Sequence, residues 1–467
     1  MSETGSDVAA VILAAGYGTR MKSKVTKMLH PLAGRPLVEY SVRAARAAGA
    51  DRIVLVIGPR QGEAIRAALG DACEYAFQAE QLGTGHAALQ AAEALRDFHG
   101  LVLVMFGDAA MIRGETLTDL IAYHRTKGAR ATLLSARLPD PTGYGRVIRD
   151  PVSGRVLRIV ETKKPGDATP DEMNVDEVFT AAACFDADRL WPALRRLSND
   201  NAQREYYFTD VFKIMAAAGE PVEAMVAPDW RESLCPNDRA ELAEAEALMR
   251  ARINRRLMLD GVTIVDPRTT YIDDTVTIGP DTVIFPNTFI SGATSIGQDC
   301  RIGPNTTIVD CRIGDGVEIL YSYLREGEIR DGASFGPFAH LRPGTVIGPR
   351  VKIGNFNELK NSTIGEGTKI AHLSYIGDAT VGSETIIGCG VITVNYDGVK
   401  KWPTKIGSRA LVGCNTNLVA PVEVGDGAYI AAGSTITERV PDDSFAIARE
   451  RQVTKEGYMK KKREKSE

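Results

Sequence analysis

Two different spacings of hydrophobic residues divide the chain. In the first half, short apolar runs such as VAAVIL, RIVLVIG and LVLVMFGD alternate with longer amphipathic stretches such as PLVEYSVRAARAAGA and GHAALQAAEALRDF. The runs predict strands and the stretches predict helices. Strand–helix alternation favours a mostly parallel sheet with helices on both faces, in which ligands bind at the carboxyl ends of the strands.

The second half repeats an aliphatic residue at every sixth position. Two unbroken runs of this repeat flank a third that contains a five-residue step. An α-helix cannot keep a period of six on one face, whereas a parallel β-helix of hexapeptides places one aliphatic side chain per strand in an inner column. We therefore predict a β-helix that starts near Val262. The repeating residues are Ile278, Ile284, Ile290, Ile296, Ile302 and Ile308; Ile347, Ile353, Leu359, Ile364, Ile370 and Ile376; and Ile406, Val412, Leu418, Val424, Ile430 and Ile436.

A segment rich in helix-forming residues joins the two halves. NDRAELAEAEALMRARINRRLMLDG predicts a helix from about Asp238 to about Leu259. We accordingly predict an α/β domain over residues 1–236, a connecting helix over 237–261, a β-helix over 262–440 and a C-terminal tail over 441–467. The tail ends in MKKKREKSE, which is typical of a solvated, disordered terminus.

Composition narrows the class of protein. The 467 residues, of which 44% are hydrophobic and 25% charged, indicate a globular protein too long for one core. A net charge of −4 gives no reason to expect a nucleic acid partner. The seven cysteines show no CxxC spacing, so we expect no metal cluster and a reducing, cytoplasmic location. The N-terminus lacks the basic region of a signal peptide, and no apolar stretch is long enough to span a membrane.

A glycine-rich loop follows the first predicted strand, in VILAAGYGTRMKSKVTKMLHPLAGRPL. It is not a P-loop, because no Gly-Lys-Ser/Thr follows at the required spacing, and Met21 stands where a dinucleotide fingerprint has its third glycine. Gly16 and Gly18 let backbone N–H groups approach an anion, and Arg20 and Lys27 would offset its charge. An ordinary turn between a strand and a helix is the alternative.

Three further positions carry candidate chemistry. Asp108 follows LVLVMF, so its carboxylate is expected at the rim of the sheet, and a turn residue is the alternative. Asn237 precedes the connecting helix, where a helix N-cap is the alternative. His372 lies among the hexapeptides and is a candidate general base, although a packed or surface histidine is the alternative.

Several motifs together resemble one enzyme family. LAAGYGTRM with a downstream lysine resembles sugar-1-phosphate nucleotidyltransferases. QAEQLGTGHA, FGD, DPTGYGRV and NDNAQREYYFTD resemble the bacterial bifunctional N-acetylglucosamine-1-phosphate uridyltransferase/glucosamine-1-phosphate acetyltransferases, and FGPFAHLRPG, GNFNELK, AHLSYIGDA, NYDG and LVAPVEVG resemble their second half. The resemblance spans nearly the whole chain. It implies an α/β nucleotidyltransferase domain with a Rossmann-like mixed sheet, followed by a left-handed parallel β-helix.

The resemblance also implies two reactions of UDP-N-acetylglucosamine synthesis. The second half would transfer acetyl from acetyl-CoA to glucosamine-1-phosphate. The first half would then transfer uridylyl from UTP to N-acetylglucosamine-1-phosphate with Mg²⁺, releasing pyrophosphate. The product would supply peptidoglycan and lipopolysaccharide precursors, and the enzyme would be a cytoplasmic homotrimer with the acetyltransferase site formed between chains.

The same resemblance assigns roles to residues of this sequence. Asp108 and Asn237 would bind Mg²⁺, and His372 would be the catalytic base, oriented or polarised by Glu358. The substrates of the first half would contact Leu13, Ala14, Gly16, Lys27, Gln78, Gly83, Thr84, Gly145 and Glu161. The sugar phosphate of the second half would contact Arg342, Lys360 and Tyr375, and acetyl-CoA would contact Asn395, Tyr396, Cys414, Ala432 and Arg449.

Some positions depart from the family pattern. Phe179 and Ile386 each stand where the family has an asparagine that contacts a sugar. Two alternatives therefore stay open: a nucleotidyltransferase of another specificity, such as an ADP-glucose or dTDP-glucose type, and a weakened scaffold with the same fold. Further departures are Thr26 for proline, GDAAMI for the usual Val/Thr-Pro-Leu, Ala181 and Arg204 for glycine, Cys389 for alanine, Val391 for threonine and Cys414 for serine.

Overall fold

The computed structural model describes residues 7–162, 168–201 and 203–465. These form two compact units, which divide between Met249 and Arg250. The dividing point lies inside the helix Arg239–Leu259, which contributes residues to both units. This helix occupies the segment in which the connecting helix was predicted.

Strands and helices alternate through most of the first unit. The strands are β1 Val8–Leu13, β2 Pro31–Leu32, β3 Arg35–Pro36, β4 Arg52–Ile57, β5 Glu74–Phe77, β6 Leu101–Phe106, β7 Ala131–Arg137, β8 Arg146–Arg149, β9 Val156–Val160, β10 Glu177–Asp186 and β11 Val222–Val226. The helices are α1 Leu37–Ala47, α2 Gly62–Leu69, α3 Thr84–Gln90, α4 Gly114–Lys127, α5 Pro170–Met173, α6 Ala187–Leu194, α7 Asp210–Ala217 and α8 Arg239–Leu259.

The main sheet of this unit has the strand order β11-β7-β10-β6-β1-β4-β5, and β8 and β9 join it through β10. Strand β1 is parallel to β4 and β6, whereas β10 is antiparallel to β6 and β7. Successive residues of β1 point to opposite faces: Val11 belongs to one hydrophobic core and Ile12 to the other. A strand buried on both faces needs a continuous apolar run, as VAAVIL is. The predicted mixed α/β sheet is confirmed.

The second unit consists of three parallel sheets of 11, 10 and 9 short strands. Each strand pairs with the equivalent strand one coil later; Ile284, for example, pairs with Ile302, which pairs in turn with Ile319. The first sheet contains Thr263–Ile264, Val283–Ile284, Arg301–Ile302, Glu318–Ile319, Ser334–Phe335, Lys352–Asn355, Lys369–His372, Ile386–Ile387, Leu411–Val412, Tyr429–Ile430 and Phe445–Ala446. The second contains Thr270–Ile272, Thr288–Ser291, Thr307–Val309, Tyr323–Arg325, His340–Leu341, Glu358–Lys360, Tyr375–Gly377, Ile392–Val394, Asn417–Val419 and Thr435–Ile436. The third contains Thr277–Ile278, Ser295–Ile296, Arg312–Ile313, Glu328–Ile329, Val346–Ile347, Thr363–Ile364, Ala379–Val381, Thr404–Ile406 and Val422–Val424.

The repeating aliphatic residues form the interior of these coils. All of those predicted are buried except Ile278, which lies near the start of the repeat. The coil that runs from Ile387 to its partner Val412 is longer than its neighbours. It carries an inserted loop, which is closed by a bridge between Tyr396 and Lys401. The predicted parallel β-helix is confirmed.

Two features lie beyond the predicted end of the β-helix at residue 440. Strand Phe445–Ala446 pairs with Tyr429–Ile430 and extends the first sheet. A short helix, α9 Tyr458–Glu464, has exposed side chains throughout and lies in the tail expected to be disordered. Its lysine, arginine, methionine and glutamate residues favour helix. Within the described part of the chain, no helix is long and apolar enough to cross a membrane.

Candidate active sites

A cavity of about 440 Å³ opens at the carboxyl end of β1. The loop after β1 and the start of α3 form much of its wall, and Arg20 also faces it. Ala14, in contrast, is buried beneath the wall and donates its N–H to the carbonyl oxygen of Val56 at 2.9 Å. The predicted residues on the lining are Leu13, Gly16, Lys27, Gln78, Gly83, Thr84, Asp108 and Asn237.

Two glycines of this wall are required by the backbone. Gly18 has a φ of +59°, and a Cβ there would lie 2.4 Å from the Cβ of Lys27. Gly83 has a φ of +114°, and a Cβ there would lie 2.6 Å from the carbonyl oxygen of Tyr206. Gly16 is different, because a Cβ at that position would meet nothing within 4 Å. Gly16 therefore leaves open space at the wall, whereas Gly18 and Gly83 allow the chain to pack closely.

A second cavity of about 300 Å³ lies next to the first. Gly145 and Glu161, the predicted sugar contacts, line it, and Glu161 accepts a hydrogen bond from Thr209 Oγ1 at 3.0 Å. The walls of the two cavities share Arg20, Thr84, Phe106, Asp108 and Asn237. A nucleotide in the first cavity and a sugar phosphate in the second would therefore meet beside Asp108 and Asn237.

Phe179 forms an apolar part of the second cavity. Its ring lies 6.1 Å from that of Phe106 and 5.9 Å from that of Phe212, both in edge-to-face geometry. The register of β10 shifts directly after Phe179, and Ala181 within this bulge has a φ of +65°. The cavity is therefore apolar at the position where the resemblance predicts an asparagine amide.

The predicted metal ligands converge on one cation. Nζ of Lys27 contacts Oδ2 of Asp108 at very short range and lies 2.8 Å from Oδ1 of Asn237. The N-cap of α8 is Asp238, which accepts hydrogen bonds from the N–H groups of Ala240 and Glu241, so the side chain of Asn237 is not needed as a cap. Two oxygens that already share an ammonium group are a suitable donor set for Mg²⁺.

Two oxygens are also a sufficient number. Mg²⁺ prefers oxygen ligands and keeps several of its waters, so one or two protein ligands are enough when substrate phosphates supply others. Among the described residues, no group of three or more His, Cys, Asp or Glu side chains is placed to hold a metal.

The predicted sugar-phosphate residues of the β-helix lie on its second sheet. Arg342 Nη1 pairs with Glu358 Oε1 at 2.8 Å, and Glu358 stands in register with Tyr375 on the next coil. Lys360 stands in register with Gly377. Nδ2 of Asn395 lies 3.4 Å from the hydroxyl oxygen of Tyr375. The structure thus groups Arg342, Lys360, Tyr375 and Asn395 on neighbouring coils.

His372 ends a strand of the first sheet, where its ring is exposed. Its Nδ1 lies 2.5 Å from Oδ1 of Asn355, the residue in register on the preceding coil. Glu358, which was expected to orient or polarise this ring, belongs to the second sheet and pairs with Arg342. Asn355 contacts the ring because corresponding residues of successive coils stack directly.

The predicted acetyl-CoA residues lie mainly on the later coils. Arg449 Nη1 donates to the carbonyl oxygen of Ala432 at 3.0 Å. Cys414 is exposed, and its carbonyl oxygen accepts a hydrogen bond from the N–H of Gly433, which follows Ala432. Tyr396 is exposed on the inserted loop, where its hydroxyl donates to the carbonyl oxygen of Gly398 at 2.7 Å.

Sequence reasoning missed two residues of this site. Asn355 could have been found from its position one coil before His372. Lys401 gave no such signal, because it lies in the inserted loop. Its pKa is lowered from the ordinary value, chiefly because the ammonium group of Lys360 lies beside it. Two converging lysines form a concentrated positive charge that suits a phosphate.

Comparison with known proteins gives consistent results for both units. The nucleotidyl transferase family matches residues 9–233, and the bacterial transferase hexapeptide (six repeats) family matches residues 403–438. Proteins named "Bifunctional protein GlmU" from Pelobacter propionicus, a Geobacillus species and Acetivibrio thermocellus are 52%, 51% and 51% identical to the chain. The alignments cover 98%, 96% and 97% of this chain and 99%, 97% and 97% of those proteins.

Proposed function

The chain belongs to the family of bifunctional GlmU proteins, and from this membership we propose where each of its two activities takes place. It is a uridyltransferase and an acetyltransferase of UDP-N-acetylglucosamine synthesis. We assign uridylyl transfer to the paired cavities of the first unit and acetyl transfer to the surface of the β-helix around His372. The observation that carries the first assignment is the meeting of the two cavities at Asp108 and Asn237.

In the uridyltransferase site, UTP occupies the larger cavity and N-acetylglucosamine-1-phosphate the smaller. A phosphate oxygen of the sugar attacks the α-phosphorus of UTP, and pyrophosphate leaves. Arg20 and Lys27 bind phosphate oxygens and hold the two anions together. Asp108 and Asn237 would hold Mg²⁺, which would offset phosphate charge when bound.

In the acetyltransferase site, the amine of glucosamine-1-phosphate attacks the thioester carbonyl carbon of acetyl-CoA. Asn355 accepts the hydrogen bond from Nδ1–H of His372, which leaves Nε2 free to take the proton of the amine. CoA then leaves as a thiolate when the tetrahedral intermediate collapses, and its sulfur takes the proton held by His372. Arg342, Lys360 and Lys401 bind the sugar phosphate, and Asn395, Tyr396, Cys414, Ala432 and Arg449 surround acetyl-CoA.

The proposal extends to the setting of the enzyme. We infer a cytoplasmic homotrimer with UTP and acetyl-CoA as co-substrates, Mg²⁺ as the metal, and no nucleic acid or membrane partner. Its product supplies cell-wall precursors. The seven thiols of the described structure are free, which agrees with a reducing compartment.

Two assays on single-site variants test the assignment. Asp108→Asn should remove most pyrophosphate release from UTP and N-acetylglucosamine-1-phosphate, because a neutral amide is a poorer Mg²⁺ ligand than a carboxylate. His372→Ala should lower CoA release from acetyl-CoA and glucosamine-1-phosphate by roughly 10²–10⁴-fold, the usual contribution of a general base. Each variant should keep the other activity.

Asp119→Asn and Lys369→Ala serve as matched controls. Both residues are exposed; Asp119 lies on α4, and Lys369 lies in the same strand as His372. Neither control should change either activity. Loss of both activities in a folded Asp108→Asn or His372→Ala protein would contradict the assignment to separate sites.

A further inference from the structure

Lys27 occupies an unusual position for a residue expected to bind phosphate. Its side chain is buried, with a relative exposure of 6%, and its ammonium group contacts both Asp108 and Asn237 at the edge of the cavity. The loop holds it there, because Gly18 packs against its Cβ. The cation that contacts both predicted metal ligands in this structure is therefore the Lys27 side chain of the protein.

The orientation of Asn237 supports this arrangement. Its Nδ2 donates to the carbonyl oxygen of Cys235 at 2.9 Å and to Glu241 Oε2 at 3.2 Å. These bonds use the donor end of the amide and direct Oδ1 toward Lys27. The acceptor atom Oδ1 of Asn237 therefore points toward the cation position before any metal binds.

An ammonium group and Mg²⁺ compete for these oxygens. Mg²⁺ requires its ligands at about 2.0–2.1 Å in a near-octahedral arrangement. The Nζ of Lys27, at hydrogen-bonding distance from the same two oxygens, would lie next to the metal and be strongly repelled by it. Lys27 must therefore leave whenever the metal binds. Once displaced in a buried site, its charge is unfavourable unless another anion pairs with it.

We propose that Lys27 is an internal counter-ion that holds the metal ligands in place and exchanges with the metal when nucleotide binds. This inference rests on the proposed function, since the phosphates of UTP supply the new partner for the displaced ammonium group. A metal ion that binds without nucleotide must displace Lys27 from Asp108 and Asn237, and no phosphate is then present to pair with the displaced ammonium group. Nucleotide and metal should therefore bind with positive coupling, each making the other's binding more favourable.

Mn²⁺ binding measured by electron paramagnetic resonance, without nucleotide, tests the exchange. The Lys27→Met variant, which has no competing ammonium group, should bind Mn²⁺ roughly tenfold or more tightly than the unaltered protein, within the usual range of coupling between sites. Lys24→Met is the matched control, because Lys24 is exposed on the same loop and its loss changes net charge equally. This control should bind Mn²⁺ as the unaltered protein does.

The same titrations with UTP present separate the possible failures. UTP should tighten Mn²⁺ binding much more in the unaltered protein than in Lys27→Met. If the unaltered protein binds Mn²⁺ with UTP but Lys27→Met binds it no more tightly without nucleotide, the counter-ion role is wrong and the metal pair stands. If Mn²⁺ binds to neither protein even with UTP, the metal pair and the counter-ion role both fail. Should Lys27→Met not fold, Lys27→Gln, which keeps a polar side chain there, carries the same expectations.

Discussion

At the scale of single residues, Phe179 and Ile386 are the two positions at which we expect sugar binding to be weakened. Phe179 places an aromatic ring at the second cavity, and Ile386 presents an exposed aliphatic side chain on the strand after that of His372. Neither can make the hydrogen bond that the asparagine of the family would make. Both sites keep their candidate phosphate-binding cations. We therefore expect the binding of the sugar phosphate to be weakened more than the binding of UTP or acetyl-CoA.

We expect Phe179→Asn to lower the KM for N-acetylglucosamine-1-phosphate roughly ten- to a few-hundred-fold. A hydrogen bond contributes about 0.5–1.5 kcal/mol, an unpaired polar group costs about 1–3 kcal/mol, and about 1.4 kcal/mol corresponds to tenfold. Steady-state kinetics should show a smaller change in the KM for UTP. Ile386→Asn should act in the same way on glucosamine-1-phosphate alone. An unchanged sugar KM in both variants would mean that these positions do not contact sugar.

Ala181 carries the strained backbone of the bulge in β10. With a φ of +65°, it lies in the left-handed region, which disfavours any residue with a Cβ by about 1–2 kcal/mol. Ala183, in the same strand, is also buried but lies outside this region. Both alanines would lose one methyl group on replacement by glycine. The difference between the two variants in the free energy of unfolding therefore reports the cost of the left-handed backbone conformation at Ala181.

We therefore expect Ala181→Gly to be less destabilising than Ala183→Gly by about 1–2 kcal/mol, because only the first change relieves the left-handed strain. Urea unfolding of the two variants measures the difference in the free energy of unfolding. Equal losses of stability would show that the bulge does not strain Ala181.

At the scale of elements, His124 joins helix α4 to strands β7 and β10. Its Nδ1 lies 2.9 Å from Thr132 Oγ1, and its Nε2 lies 3.1 Å from Asp186 Oδ1. Burial lowers the pKa of His124 below its ordinary value of 6.5, and the neighbouring Asp186 opposes this shift only in part. The folded protein thus holds the imidazole neutral at a pH where the unfolded chain begins to take up a proton.

This difference makes stability depend on pH. Below about pH 6.5 the unfolded state binds more protons at this position than the folded state, so acid lowers the free energy of unfolding. Replacing His124 with glutamine removes the titrating group. Unfolding curves between pH 5 and pH 8 should show a shallower decline toward acid for His124→Gln than for the unaltered protein. Parallel profiles would contradict this role of His124.

At the scale of the whole molecule, the β-helix leaves an aromatic column exposed along one edge. The rings of Phe338 and Phe356 stack on successive coils with centroids 5.4 Å apart, and Tyr321 and Leu373 extend the column in both directions. All four side chains are exposed in a single chain. Contiguous apolar surface of this kind is typical of an interface, which agrees with the proposed homotrimer.

We expect sedimentation equilibrium to show a trimer, and Phe356→Glu to weaken it because charge would be placed in the buried interface. Acetyl transfer should fall with the loss of trimer, since that site is proposed to form between chains, while uridylyl transfer should remain. Phe289→Glu, at an exposed aromatic residue of an earlier coil that stacks on Tyr271, is the matched control and should stay trimeric. A stable monomer with full acetyl transfer would refute the shared site.

Local patterns in the sequence were enough to predict both architectures. A period of six matches the coil of a β-helix directly, because each hexapeptide contributes one strand and one turn whatever lies elsewhere in the chain. The run VAAVIL likewise indicated a strand, and its alternation with helices indicated a sheet covered by helices on both faces. The placement of Asp108 at the end of β6 followed from the same local reasoning, and motif resemblance supplied the roles that spacing could not.

The tertiary structure alone decided how distant residues meet. Lys27 contacts Asp108 and Asn237, which lie 81 and 210 residues away, and no local period encodes that convergence. Asn355 rather than Glu358 contacts His372, because the stacking of coils sets side-chain neighbours. Lys401 reaches Lys360 from an inserted loop that interrupts the repeat. Local periodicity determines which elements form, whereas the packing of those elements determines which charges share a site.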